Sequence, residues 1–170
     1  MHNTHSILGF ALALVVACGD PNVPELAADG GSDDLRLDGV YSVPVSEPSL
    51  EPFASQPVVV DWRETNGRYR MDYDFPSDLT GVSQRVSFEG SLTGDGTIQL
   101  TGDLGSASCE SDPLGTSFVC IERFPQLAFD LERLERDFER RGLPADEIAQ
   151  RIEVARLFQS DPIGILSFAF

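Results

Sequence analysis

The dipeptide Asn66-Gly67 constrains this chain more than any other feature. Val58-Val59-Val60-Asp61-Trp62-Arg63-Glu64 precedes it and Tyr69-Arg70-Met71-Asp72-Tyr73-Asp74-Phe75 follows it. Alternating runs on either side of Asn-Gly predict a β-hairpin with a two-residue type I′ turn. That turn needs positive φ at both central residues, which Asn and Gly tolerate best. The register follows: Trp62 opposes Met71, Val60 opposes Tyr73 and Val58 opposes Phe75, all on one face. The other face sets Arg63 against Arg70 and Asp61 against Asp72. These like-charge pairs are offset by the diagonals Arg63–Asp72 and Asp61–Arg70. One apolar face and one charged face mark an antiparallel sheet buried on a single side.

Two more hairpins follow the same logic. Val82, Val86, Phe88 and Leu92 alternate with polar residues and lead into Gly94-Asp95-Gly96. A three-residue loop there pairs Leu92 with Ile98, Gly90 with Leu100 and Val86 with Leu104. A two-residue turn would set Leu92 against Gln99 and break the apolar face. Gly90 and Gly102, both mid-strand, predict bulges or bends. The third hairpin, 106–124, turns at Leu114-Gly115 and places Cys109 opposite Cys120, within the span of a disulfide. Upstream, 37–43 reads as a first strand, and Pro44, Pro48, Pro52 and Pro57 punctuate a long loop.

The period then becomes helical. Leu127, Leu131, Leu134 and Phe138 predict a helix over about 126–141, with Glu132–Arg136 and Asp137–Arg141 as surface ion pairs. Gly142 suits its end and Pro144 the first position of a second helix, about 144–159, with Ile148, Ile152, Ala155 and Phe158 inward. The last run, 163–170, predicts a strand that is apolar on both faces and covered on both. The expected fold is mainly β with α: an antiparallel meander barrel or strongly curved sheet of about seven or eight strands, with a helical hairpin before the last strand.

The start of the chain carries a different signal. Residues 7–16 are an unbroken apolar run, too short for a membrane span but the length of a signal-peptide core. Val15-Val16-Ala17-Cys18 resembles the lipobox of bacterial lipoproteins. The resemblance implies cleavage after Ala17, acylation of Cys18 and anchoring of the new N-terminus in the cell envelope by several chains. An ordinary secretory signal is the alternative. Gly19 follows Cys18, and Asp20 comes one place later, which favours the outer membrane. The expected organisation is a signal peptide over 1–17, a lipidated and disordered acidic tether over 18–36, and one domain over 37–170. Cys109 and Cys120 are then left as an even pair, which an exporting compartment oxidises.

Composition narrows the chemistry. The formal net charge is −16, which excludes nucleic acid as a partner and argues against anionic headgroups. The chain has no Lys, and its two His, His2 and His5, fall in the signal peptide. The processed protein would lack the groups for Ser-His-Asp or Cys-His catalysis, Schiff-base chemistry, a His-ligated zinc site or a P-loop. No cofactor and no metal site are expected. Asp29-Gly30-Gly31-Ser32-Asp33-Asp34 only loosely resembles a calcium loop.

The expected function is non-enzymatic: a structural or protein-interaction role in the envelope. One alternative is a barrel binding a small apolar ligand, lined by Trp62, Met71, Tyr73 and Phe88. Gly39-Val40-Tyr41 is similar to the Gly-x-Trp start of lipocalins, and that resemblance implies such a ligand. A remote alternative is a carboxylate-pair hydrolase using acids among Asp61, Asp72, Asp74 and Glu89. The final aromatic alternation is similar to the closing strand of outer-membrane barrels, but the charged helices fit that class poorly.

Overall fold

A computed structural model of the chain describes residues 34–170. Cys18, the tether up to residue 33 and Asp29 to Asp33 of the acidic cluster lie outside the described residues. Eight strands follow one another around a closed antiparallel barrel: β1 (Asp34–Ser42), β2 (Ser55–Thr65), β3 (Arg68–Phe75), β4 (Gln84–Leu92), β5 (Ile98–Thr101), β6 (Ser106–Ser111), β7 (Ser117–Arg123) and β8 (Ile163–Ala169). Leu166 of β8 pairs with Cys120 on one side and Tyr41 on the other, which closes the ring. Helices α1 (Ser77–Thr80), α2 (Leu131–Arg140) and α3 (Ala145–Ser160) complete the domain. This is the meander barrel with a helical hairpin before the last strand.

The Asn66-Gly67 turn has φ of 52° and 73°, and Trp62↔Met71 and Val60↔Tyr73 oppose each other as the alternation requires. The like-charge pairs Asp61↔Asp72 and Arg63↔Arg70 also form. Their relief differs from expectation, because the diagonals make no ion pair among the described residues. Arg63 pairs with Asp34 on β1. Arg70 reaches Asp72 along its own strand at 2.6 Å and Glu89 on β4 at 2.9 Å. Arg85 on β4 holds Asp61 at 3.0 Å and Asp74 at 3.3 Å. An isolated hairpin has only its own charges, whereas flanking strands supply better-placed partners.

Strand β1 starts at Asp34, so the domain begins before residue 37 and the tether ends before residue 36. Asp34, Leu35 and Arg36 pair with Arg63, Trp62 and Asp61 on the long strand β2. A polar segment gains order when a partner strand offers both ladder bonds and countercharge.

The β4–β5 loop has three residues, closed by Thr93 N–H donating to Thr97 O at 2.8 Å, with Leu92↔Ile98 and Gly90↔Leu100 in register. The expected Val86↔Leu104 pair does not form. Gly102 and Gly105 exchange backbone hydrogen bonds in a tight turn, which ends β5 at Thr101.

Cys109 and Cys120 are directly opposed, 4.0 Å apart at Cα, and joined as a disulfide. The turn beyond them spans four residues rather than two: Asp112 N–H donates to Ser117 O at 2.9 Å. Pro113 has no N–H to pair with Thr116. The Asp112 carboxylate instead accepts from the backbone N–H groups of Thr116 at 2.6 Å and Ser117 at 2.8 Å. The Ser117 bond leads the causes that hold its carboxyl below the usual range. Removing the disulfide by Cys109→Ala with Cys120→Ala is expected to cost about 2 to 3 kcal/mol, by the loop-entropy argument. Chemical denaturation of the oxidised chain and the double variant checks this; equal midpoints would contradict it.

The helices depart from the periodic pattern at their edges. Helix α2 begins at Leu131, not near 126. Gln84 makes two hydrogen bonds to the Ala128 backbone, of 2.9 and 3.2 Å, which hold 125–129 outside the helix. Asp130 then caps the helix by accepting from Arg133 N–H at 2.9 Å. Glu132–Arg136 forms at 3.7 Å. Asp137 pairs with Arg140, while Arg141, in the cap position, turns to Asp78 on α1 at 2.9 Å.

Helix α3 is apolar on two sides. Val154 and Phe158 enter the barrel core, while Ile152 and Ala155 pack with Leu134 and Phe138 of α2. The Phe158 ring stacks on Phe75 at 5.7 Å. The helical layer therefore plugs one end of the barrel. It covers the outer face of β8 only in part: Ile163, Ile165 and Ser167 are half-buried, short of the two-sided cover expected of that strand. Among the described residues, no helix is long and apolar enough to cross a membrane.

Candidate functional site in the barrel interior

Period-two alternation sends every second side chain of each strand into the barrel. Trp62, Met71, Tyr73 and Phe88 all point inward, and none is more than 3% exposed. They do not face open space. The Trp62 ring packs on Phe118 at 5.1 Å, Phe168 at 5.3 Å and Tyr69 at 5.6 Å. Phe88 meets Phe124 at 5.8 Å, and Tyr73 lies 6.4 Å from both Tyr41 and Phe75. Open clefts of about 340 and 710 Å³ lie over the charged outer faces of β1 to β4, and one of about 350 Å³ lies along β1, β7 and β8.

The carboxylates considered for hydrolysis lie on that charged face. Asp61, Asp72, Asp74 and Glu89 are each engaged by Arg70 or Arg85. Burial works against the charge of Asp72, yet hydrogen bonds from Arg70 and Ser87 hold its carboxyl below the ordinary range.

The chemically unusual group is inside. Glu122 on β7 is fully buried. It follows Cys120 in the same inward row, and its strand neighbours are Ala107 on β6 and Gly164 on β8. Two small residues leave room for its carboxyl between the walls. Tyr73 donates its hydroxyl proton to Glu122 Oε2 at 2.6 Å. The Tyr41 hydroxyl rests against Gly164, the strand partner of Glu122. Neither Glu122 Oε1 nor Tyr41 Oη has a hydrogen-bond partner among the described residues.

This setting favours the neutral acid. Burial pushes the Glu122 carboxyl up to about 8, and the Tyr73 hydrogen bond opposes that only in part. Tyr73 and Tyr41 are each held above the ordinary phenol value, first by burial and then by the Glu122 charge. The cluster can therefore store a proton at neutral pH, and solvent reaches it only when the barrel opens.

Charge and motif content gave no reason to single out Glu122, and Tyr41 entered only through the lipocalin-like Gly39-Val40-Tyr41, not as a partner of a buried acid. Strand parity did carry the signal. Cys120 is fully buried in the inner row, and Glu122, two residues on, faces the same side. No protein-family model matches the chain, and no curated protein or solved structure shows significant similarity to it.

Proposed function

We propose that this chain is a lipid-anchored protein of the bacterial cell envelope, most consistent with the outer membrane, that works as a non-enzymatic structural or protein-interaction module. In this reading Cys18 carries the acyl chains and the barrel acts through its outside. The observation that supports it most is the filled interior. Tyr41, Met71, Tyr73, Phe88, Phe124 and Phe158 are all at most 1% exposed and occupy the space a container would reserve for its ligand. A small apolar ligand remains the second reading, favoured by the closed eight-stranded meander with its aromatic inner rows.

Replacing Cys18 by Ser tests the anchor. Wild-type chain is expected in the membrane fraction, and Cys18→Ser is expected in the soluble fraction with an unmodified N-terminus. Retention of Cys18→Ser in the membrane, together with wild type free of lipid, would reject the reading. Native mass spectrometry of the purified barrel separates the two functions. The interaction module is expected at the mass of the lipidated chain alone, whereas a co-purifying small apolar molecule would favour the ligand-binding barrel.

A further inference from the structure

The two ends of the barrel differ in chemistry. One is plugged by helices whose exposed faces carry Glu132, Glu135, Arg136 and Glu139. The other gathers the hairpin tips: Asn66-Gly67, the 94–96 loop, the 113–116 loop and the end of β8. Here the inward rows run out of the closed core; those of β4 and β8 end on Leu92 and Phe170, while those of β2 and β6 end on Glu64 and Ser111. Leu92 and Phe170 are each 53% exposed, and Leu114, at the tip of its loop, is 83% exposed. The half-buried Phe118 ring bridges Trp62 at 5.1 Å and Phe170 at 5.5 Å, so aromatic packing continues from the core to the rim. Asp112 holds the Leu114 loop in shape through its bonds to Thr116 and Ser117.

The same end receives the chain. Asp34, the first residue of β1, pairs with Arg63 near the Asn66-Gly67 turn, and Cys18 lies sixteen positions earlier. Fully extended, that segment reaches at most about 55 Å. A lipid on Cys18 therefore pulls on the barrel from this end. Exposed apolar residues with aromatic rings behind them suit the boundary between headgroups and acyl chains. With a net charge of −16, the contact must rest on apolar insertion rather than on attraction to anionic lipid.

We infer that the hairpin-tip end of the barrel docks on a zwitterionic lipid surface, inserting Leu92, Leu114 and Phe170 while the helical end faces away. The inference rests on the lipid-anchor reading of Cys18. The test uses full-length chain purified from bacterial membranes and reconstituted in phosphatidylcholine vesicles with bromine near the top of the acyl chains. A tryptophan reporter is placed at the tip (Leu114→Trp) or at the helical end (Glu135→Trp), each read against the wild-type emission of Trp62.

The emission added by Leu114→Trp is expected to fall by about half or more, as for a residue within the interface, with that of Glu135→Trp unchanged. If the chain floats with the vesicles but the reporter at 114 is unquenched, or both reporters are quenched alike, docking at this end is overturned while the anchor stands. If wild-type chain does not float with the vesicles, anchor and docking fail together. Hydrogen exchange on unsubstituted chain gives an independent readout. Slowing in 93–97 and 112–116 on vesicles, relative to soluble Cys18→Ser chain, supports docking, and equal exchange overturns it.

Discussion

Raising the pH from 5 to 9 is expected to lower the stability of this fold by about 4 kcal/mol, and Glu122→Gln is expected to remove most of that loss. The folded carboxyl titrates at about 8, against 4.5 when unfolded. Between these values the folded chain holds a proton that the unfolded chain has released. Each pH unit in that window therefore costs about 1.4 kcal/mol. The contribution is fully present below pH 4.5 and is spent as the pH passes 8. The groups packed around the carboxyl do not blur the profile: Tyr73 and Tyr41 titrate far higher, and Ala107 and Gly164 carry no charge.

Gln has nearly the shape of the protonated acid and keeps an oxygen to accept from Tyr73, but it cannot ionise. Urea unfolding at several pH values measures both chains. A wild-type midpoint that is flat from pH 5 to 9, or an equal slope in Glu122→Gln, would show that the buried carboxyl does not control stability. A loss of this size is a large share of the 5 to 15 kcal/mol typical of a domain, so the barrel should loosen in mildly alkaline solution.

Gly164→Ala is expected to cost about 4 kcal/mol, above the usual overpacking range, because the new methyl has nowhere to go. A Cβ at residue 164 would overlap the Tyr41 hydroxyl and lie 2.8 Å from Tyr41 Cε1. Tyr41 cannot step aside. It is fully buried and wedged against Phe75 at 4.9 Å and Phe158 at 6.1 Å. Shortening the partner with Tyr41→Leu opens the space, at its own cost in lost packing. The double variant should therefore be more stable than the sum of the single losses implies, with a coupling of at least about 1 kcal/mol. Strict additivity in the thermodynamic cycle would mean that the two residues do not compete for one volume.

Most of the sheet was legible because its determinants are local. Asn66-Gly67 dictates its turn by backbone conformation, and alternation then sets the register over residues on both sides. Cys109 and Cys120 face each other for the same reason: their register follows from parity and a short loop. Local rules failed where a distant segment competed. Asp34 to Arg36 look like tether until β2 is there to pair them. The start of α2 depends on Gln84, far away in sequence, bonding the Ala128 backbone. Arg141 leaves its helical neighbour Asp137 for Asp78 because α1 packs beside it.

The interior shows the division most sharply. By itself the sequence determined an inward row of apolar and aromatic residues, a charged outer face, a cross-strand disulfide and helices before a last strand. It also contained the parity that puts Glu122 on the inner row. Whether that row lined a cavity or filled one was a question of volume, answered by contacts between strands far apart in the chain and by Phe158 entering from α3. The fate of Glu122 was likewise tertiary. A carboxyl becomes a neutral, proton-holding group only when Tyr73, Tyr41, Ala107 and Gly164 close around it and exclude water. Turn type and register depend on neighbours in the chain, whereas burial, and the ionisation it controls, depend on which remote surfaces meet.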